Sequence, residues 1–511
     1  MPADETPLDR LGARRAQTED AARPGALAKR RDRGGRTARE NVEDLIDPGS
    51  WVEYGRYAIA PQRGRRDLDD LRANTPADGL LAGAATVGGL PVCVLAYDYT
   101  VLAGTQGAVG HLKKDRLFDL IDRLRLPVIF FAEGGGGRPG DTDHPVVSAL
   151  HVRAFALWAR LSGTVPRIAI VHGRCFAGNA VIAGCADLII ATENSSIGMG
   201  GPAMIAGGGL GDVAPDDVGP APVQDRGGVI DVLVADEAEA VDTAKRLLGC
   251  LRGSAAESWE AADQEPLRDV IPERARRAYN VLPVVERLCD TGSQTVLRPR
   301  FAPELVTAIG RIEGRAVGVI ANNSTYAAGA VTAAASEKAA RHLQLCDSFG
   351  LPVISLIDTP GYIVGPEAEA EGLVRRASRM LIAAGALTVP LIAVVLRRGY
   401  GLGAQAMAGG SLHEPVLTVA WAGAHLGPMG LEGAVRLGLR NELAAIEDDA
   451  EREQRVRELT AMATENADAL NAAELFEIDD VIDPADTRAL IAATLRAAGE
   501  STGSGRPVDS W

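Results

Sequence analysis

The chain has 511 residues, 46% of them apolar, enough for two large domains. Aromatic residues make up only 4% and the net charge is -15, which argues against base-stacking on single-stranded nucleic acid and against a polyanion-binding surface. No apolar run approaches the roughly 18 residues of a membrane span, and the N-terminal MPADETPLDR lacks the apolar core of a secretory signal.

Residues 1–40 are polar and Arg-rich (Arg10, Arg14, Arg15, Arg30, Arg31, Arg33, Arg36, Arg39). They read as a loosely ordered helical arm. The arm is either a solvated or subunit-packing face, or a contact for the phosphates of an anionic ligand. A helix over 38–46 follows and ends in Asp47-Pro48-Gly49-Ser50. Its echo is a helix over 282–290 that ends in Asp290-Thr291-Gly292-Ser293. The polar stretch Gly253–Pro272 suits a linker. The expected organisation is therefore an arm at 1–40, one domain at 41–275 and a second at 276–511.

Within each domain the same pattern recurs at a constant offset. Pro91 and Pro127 open successive apolar runs, and Ala316 and Pro352 repeat their spacing. Lys113 stands as far beyond Pro91 as Lys338 stands beyond Ala316. The interval from Pro127 to Gly178 equals that from Pro352 to Gly403. The runs Val128–Phe131, Ile168–Val171 and Leu188–Ala191 read as buried strands, with counterparts at Val353–Ile357, Leu391–Leu396 and Val416–Ala420. Helices are expected between them at Leu112–Leu124, Val146–Leu161 and Ser336–Phe349, and residues 440–475 read as exposed helix. Strand–helix alternation with short apolar strands predicts an α/β layer fold with largely parallel pairing.

Each half carries a Gly-rich turn after an apolar strand. The first is His172-Gly173-Arg174-Cys175-Phe176-Ala177-Gly178-Asn179-Ala180, and the second is Arg398-Gly399-Tyr400-Gly401-Leu402-Gly403-Ala404-Gln405-Ala406. A strand that breaks at glycines and enters a helix exposes backbone N–H groups at the positive end of the helix dipole. Such a site binds an oxygen with full or developing negative charge, a phosphate or an enolate. Gly401-x-Gly403-x-x-Ala406 has the form of a dinucleotide fingerprint, yet Val416–Ala424 offers no carboxylate for a ribose. No GxxxxGK[ST] is present, so a P-loop is excluded. Purely structural tight turns remain the plain alternative to an oxyanion role.

Two further turns stand in front of these. Glu133-Gly134-Gly135-Gly136-Gly137-Arg138 follows one strand, and Asp358-Thr359-Pro360-Gly361-Tyr362 follows its counterpart. Arg138 is either a solvated loop residue or a contact for an anionic substrate. Six scattered cysteines without a CxxC pair read as reduced thiols in a cytoplasmic enzyme. Seven histidines form no HExxH, so no metal site is expected. There is no GxSxG elbow and no evident Cys/His pair. Glu193, near a strand end, is the sort of residue that hydrates an enoyl thioester.

The ordered series of motifs resembles the carboxyltransferase (β) subunit of biotin-dependent acyl-CoA carboxylases, from about residue 28 to 495. It includes Thr37-Ala38-Arg39-Glu40 with Asp47-Pro48-Gly49-Ser50, Gly135-Gly136-Gly137-Arg138, and Gly173 to Ala180. Ser336-Glu337-Lys338-Ala339-Ala340-Arg341, Thr359-Pro360-Gly361-Tyr362, Tyr400 to Ala404, and Met429-Gly430 with Gly433-Ala434-Val435 complete it. The resemblance implies two tandem crotonase-like (ClpP/crotonase) domains related by internal duplication. It also implies a homo-oligomer, a hexamer built as a trimer of dimers, with active sites between subunits.

By position, Gly178 and Asn179 would form the hole for the thioester oxygen, with Gly135, Gly136 and Arg138 on the substrate side. Gly403 and Ala404, with Tyr400, would hold the biotin urea oxygen. The implied reaction is carboxylation of an acyl-CoA at its α-carbon through an enolate, with the base supplied by the cofactor. No Met-Lys-Met tripeptide occurs, so biotin is expected on a partner, a biotin carboxylase/biotin carboxyl carrier subunit. A decarboxylase running the reverse transfer and a biotin-independent crotonase-type hydratase or hydrolase are the alternatives. Two departures from the family stand out: Asn179 where a second glycine is usual, and an all-glycine turn before Arg138. A side chain at 179 is expected to crowd or polarise the acyl site. Alanine at 403 is expected to be mild, and valine to block biotin.

Overall fold

The computed structural model describes residues 6–253, 255–274 and 277–511. Its described residues divide into two compact units, up to residue 249 and from 250 to 509. The expected boundary between 275 and 276 falls on two residues outside the described ones. Residues 256–267 lie in the second unit: Ala261 bridges Asp290, and Ala256 N–H donates to Gly314 O.

The first unit is built on a seven-stranded sheet. Its strands are β1 (Val52–Glu53), β2 (Leu80–Val87), β3 (Leu90–Tyr97), β4 (Val128–Phe131), β5 (Arg167–Val171), β7 (Leu188–Thr192) and β9 (Val232–Val234), in the order β1-β2-β3-β4-β5-β7-β9. β1, β2 and β3 pair antiparallel; every later neighbour pairs parallel. Two short strands, β6 (Arg174–Phe176) and β8 (Ser196–Gly198), form a separate parallel pair above the strand ends. All four residues of β4 and all five of β5 are buried, as expected of parallel strands covered on both faces.

The helix Ala108–Leu124 packs one stripe onto this sheet. Its buried positions Lys114, Leu117, Phe118 and Ile121 follow the i, i+3, i+4, i+7 spacing. Phe118 and Phe130 both meet Trp158, at ring-centroid distances of 5.2 and 5.9 Å. Trp158 Nε1–H also donates to Ile182 O at 2.8 Å, tying the core to the helix Gly178–Gly184.

The second unit repeats this topology. Its strands are β10 (Thr295–Leu297), β11 (Leu305–Ile312), β12 (Arg315–Asn322), β13 (Val353–Thr359), β14 (Leu391–Tyr400), β15 (Leu417–Trp421), β16 (His425–Gly427) and β17 (Asp480–Ile482). The order is β10-β11-β12-β13-β14-β15-β17, with β16 on the end of β14. The repeated lysines do one structural job twice. Lys113 Nζ donates to the carbonyls of Ala77 and Leu80, and Lys338 Nζ to those of Phe301 and Leu305.

One predicted helix is much shorter than its sequence pattern. Val146–Leu161 forms helix only at Ala154–Arg160. The chain before it turns through Ala149 at φ 56°, and Val146, Val147 and Leu150 face solvent. Their helical spacing finds no core to cover. The arm at 7–31 is helical as expected (Pro7–Ala16 and Pro24–Arg31) but is pinned by Arg23 and Arg30. No helix among the described residues is long and apolar enough to cross a membrane.

Candidate functional site

In the first unit two loops meet at the ends of β4 and β5. Gly134 N–H donates to Arg174 O at 2.7 Å, and Phe176 N–H to Gly134 O at 3.0 Å. Ala177 then takes φ 50°, its N–H bonded to Gly198 O, and the helix Gly178–Gly184 begins. Gly178 and Asn179 are its first two residues, so their N–H groups have no acceptor within the helix. Gly134 must be glycine: a Cβ there would lie 2.1 Å from Gly104 O.

The Asn179 side chain does not project out of the turn, contrary to the expectation that it would crowd the site there. It is fully buried and turned into the protein. Its Nδ2 donates to Glu133 O (2.9 Å) and Gly104 O (3.3 Å). Its Oδ1 accepts from Gln106 Nε2 (3.0 Å) and Gly136 N–H (3.2 Å). Asn179 therefore stitches the two glycine turns together from behind and leaves its own backbone N–H at the helix start. The neighbouring amides are engaged: Gly135 N–H donates to Ala103 O, and Gly136 O accepts from Gln106 N–H.

Arg138 is neither solvated nor displayed. Its side chain is 3% exposed and clamps the loop that precedes the helix Ala108–Leu124. Nη1 donates to Asp78 Oδ1 at 2.5 Å, and Nη2 donates to Asp78 O and Thr105 O at 3.2 and 3.1 Å.

Glu133 is held by the arm. Arg30 Nη1 donates to Glu133 Oε1 at 2.7 Å, and Arg30 Nη2 lies 3.1 Å from His172 Nδ1. Glu237 closes the cluster, 3.6 Å from His172 Nδ1. Burial works to raise the Glu237 carboxyl, but His172 and Arg30 hold it below its ordinary range. In the second unit Asp358 occupies the corresponding strand end and takes its cations from the next strand, Arg397 at 2.8 Å and Arg398 at 2.7 Å. Val128 pairs Arg167 and Val353 pairs Leu391. Gly173 and Arg397 stand equally far beyond these two partners. Thus the first unit has a glycine where the second has the arginine, and a Cβ at Gly173 would lie 2.0 Å from Glu133 Oε1.

The second Gly-rich turn starts as the first does. Phe176 pairs Gly198, and Tyr400 pairs Gly427. Ala177 (φ 50°) and Gly401 (φ 58°) come next. The repeat is therefore one step shorter at this point than between Glu133 and Asp358. Leu402 is the counterpart of Gly178, and Gly403 that of Asn179. The helix Gly401–Met407 places Gly403 in its first turn and Ala404 just behind it, with Tyr400 as the largely buried residue before the helix. Alanine at 403 is not mild by this geometry. A Cβ would lie 2.6 to 3.0 Å from the Cα, C and O of Gly361, all backbone atoms. Beside the turn is a cavity of about 550 Å³ lined by Gly401, Leu402, Ala404, Gln405, Leu426 and Leu475, among others.

The expected residues thus fall into two groups, Gly135, Gly136, Arg138, Gly178 and Asn179 in the first unit, and Tyr400, Gly403 and Ala404 in the second. Sequence reasoning missed Gln106, Lys114 and the Arg30–Glu133 contact. One signal for Lys114 was present, since it heads the apolar stripe Leu117, Phe118, Ile121.

The family described as Carboxyl transferase domain matches residues 29–504. The chain belongs to that family. It is 33% identical over 499 residues to the methylmalonyl-CoA carboxyltransferase 12S subunit of Propionibacterium freudenreichii subsp. shermanii, covering 96% of this chain and 93% of that one. It is 33% identical over 496 residues to the propionyl-CoA carboxylase beta chain of Saccharopolyspora erythraea, covering 92% and 89%. Among solved structures, a single-chain, multi-domain long-chain acyl-CoA carboxylase superposes with a TM-score of 0.91 and 52% identity, over 96% of this chain. This chain spans about half of that protein's length (49%). The transcarboxylase 12S structure superposes with a TM-score of 0.86 at 31% identity, over 100% of this chain and 98% of that one. The two units carry the duplicated crotonase-like fold of these carboxyltransferases, and the chain is an enzyme of the transferase kind.

Proposed function

We propose that this chain is the carboxyltransferase subunit of a biotin-dependent acyl-CoA carboxylase acting on long-chain acyl-CoA. The observation that carries the reaction is the family match across residues 29–504. The 52% identical neighbour, described as a long-chain acyl-CoA carboxylase, supports the long-chain assignment. A cavity of about 660 Å³ beside the Gly137–Arg138 turn supports it. Leu112, Val146, Ala149 and Val152 form an apolar stretch of its wall along which an alkyl chain could lie, beside polar walls that include Gln106, His111 and Asp115.

The backbone N–H groups of Gly178 and Asn179 would receive the thioester oxygen as it takes on enolate charge. Each such donor contributes about 3 kcal/mol when it is fixed before the charge develops. Because the Asn179 side chain is turned inward, its main-chain N–H stays available for this. Leu402 and Gly403, the counterparts of Gly178 and Asn179, would hold the urea oxygen of biotin with their backbone N–H groups at the start of the helix Gly401–Met407, and uncharged donors beside the 550 Å³ cavity, which Leu402 lines, fit a neutral urea. When bound, carboxybiotin supplies the carboxyl group and the basic ureido nitrogen that takes the α-proton.

The proposed partners are a biotin carboxylase and a biotin carboxyl carrier, together with further copies of this chain in a hexamer. The 12S transcarboxylase, described as a hexamer, supports the last point. Six free cysteines are in keeping with work in the cytoplasm. The test is carboxylation of acyl-CoAs of increasing length with a biotinylated carrier. The reading expects kcat/KM to rise with chain length. A preference for propionyl-CoA would overturn the long-chain assignment.

A further inference from the structure

Behind the acyl-side turn runs a buried line of three polar side chains, Lys114, Gln106 and Asn179, of which Gln106 also reaches the wall of the cavity beside Arg138. Lys114 is fully buried on the sheet face of its helix. Its Nζ donates to Gln106 Oε1 and lies 5.7 and 5.9 Å from the ring centroids of Tyr97 and Phe155. Gln106 Nε2 donates to Asn179 Oδ1 at 3.0 Å. Asn179 Nδ2 then donates to Glu133 O and Gly104 O.

The polarity of this line is set at both ends, by the Lys114 donor at one and by Gly136 N–H with the Glu133 and Gly104 carbonyls at the other. Both an ammonium and a neutral amine present N–H to Gln106, and the ammonium has no acceptor at all. Gln106 must therefore face Lys114 with its oxygen and Asn179 with its NH₂. Asn179 must in turn present its oxygen to Gln106 and Gly136 N–H, and its NH₂ to the two carbonyls. Flipping the Asn179 amide would set NH₂ against NH₂ at one end and oxygen against carbonyl oxygens at the other. Each buried mismatch leaves a polar group without its hydrogen bond, a cost the packed interior cannot offset. Burial also lowers the Lys114 pKa to about 7, with Asp115 pulling the other way. An apolar side chain would fill this place without that penalty. Gln106 sits against the turn itself: a Cβ on Gly178 would lie 2.9 Å from its Nε2.

We propose that Lys114 and Gln106 are positioning residues for the acyl-side turn, locking the Asn179 side chain inward so that the Gly178 and Asn179 N–H groups keep their place. The inference rests on the acyl-side reading of that turn given above.

The test uses the full chain with a carboxylated biotin carrier and palmitoyl-CoA as probe, following kcat, KM and thermal midpoint together. Gln106→Glu is nearly isosteric. It keeps the contact with Lys114 but replaces the donor to Asn179 Oδ1 with an acceptor. It should remain folded at the assay temperature with a lowered thermal midpoint, keep KM within about twofold, and lose at least tenfold in kcat. Lys114→Met, which removes the donor that orients Gln106, should show the same split. Lys114→Gln, which restores a donor of similar length, should recover kcat. Folded Gln106→Glu and Lys114→Met variants with wild-type kcat would overturn the proposal, and Gln106→Glu decides alone if Lys114→Met does not fold. Gly178→Val is assayed alongside. Full activity there would sink the acyl-side reading itself, whereas an inactive Gly178→Val beside wild-type kcat in Gln106→Glu would sink only the positioning role.

Discussion

Arg30 and Glu133, far apart in sequence, meet at 2.7 Å with side chains 9% and 4% exposed. The arm thereby supplies the first unit with a cation that the second unit takes from its own strand, at Arg397. Arg30→Ala leaves Glu133 beside His172 without its arginine and strands a buried carboxylate. A loss of about 3–5 kcal/mol is expected, as for other broken buried pairs. Chemical denaturation measures it. A change below about 0.5 kcal/mol, the range of an ordinary surface substitution, would mean the arm does not hold the turn.

Arg138 gives a prediction of a different kind. Its guanidinium is committed to Asp78, whose side chain is fully buried. Arg138→Met should therefore cost about 3–5 kcal/mol of stability. A variant of unchanged stability but raised KM for acyl-CoA would instead make Arg138 a substrate contact.

Gly403→Ala should reduce both stability and turnover, because the added methyl meets the Gly361 backbone. Overpacking of this sort costs about 1–3 kcal/mol. Gly385, at the end of the helix Leu373–Gly385, has open space around its Cα. Gly385→Ala is the matched control, expected to be neutral or stabilising by about 0.4–1 kcal/mol. Equal behaviour of the two variants would contradict the packing at Gly361.

How much of this was legible beforehand follows from range. The buried strands at 128–131, 168–171 and 391–396 announced themselves as local apolar runs, and the doubled spacing gave the duplicated fold. The inward rotamer of Asn179 depends on Gln106, distant along the chain, and on a lysine that looks like a surface residue beside Lys113. No local pattern encodes that. The shortened step between Gly178 and Gly403 was hidden because glycine stands at both positions while the strand pairing sets the true register. The predicted helix over 146–161 failed because spacing alone does not say whether a core is there to receive it.

The buried Lys114 also makes a pH prediction. Its pKa in the folded protein is about 7, below the roughly 10.4 of an exposed lysine. Between these values the unfolded chain binds the extra proton, so stability rises with pH across about 7 to 10. Below pH 7 both states are protonated and the burial penalty is fully felt. The stability of the wild type relative to Lys114→Met should climb across that window. A flat difference would mean Lys114 keeps its ordinary affinity for protons.

The most direct measurement follows labelled bicarbonate into acyl-CoA, using this chain with a biotin carboxylase, ATP and a carrier in its biotinylated and unbiotinylated forms. The account predicts acid-stable label on the acyl-CoA only with the biotinylated carrier, and its loss in Gly178→Val. Consumption of acyl-CoA that proceeds equally without biotin would contradict it.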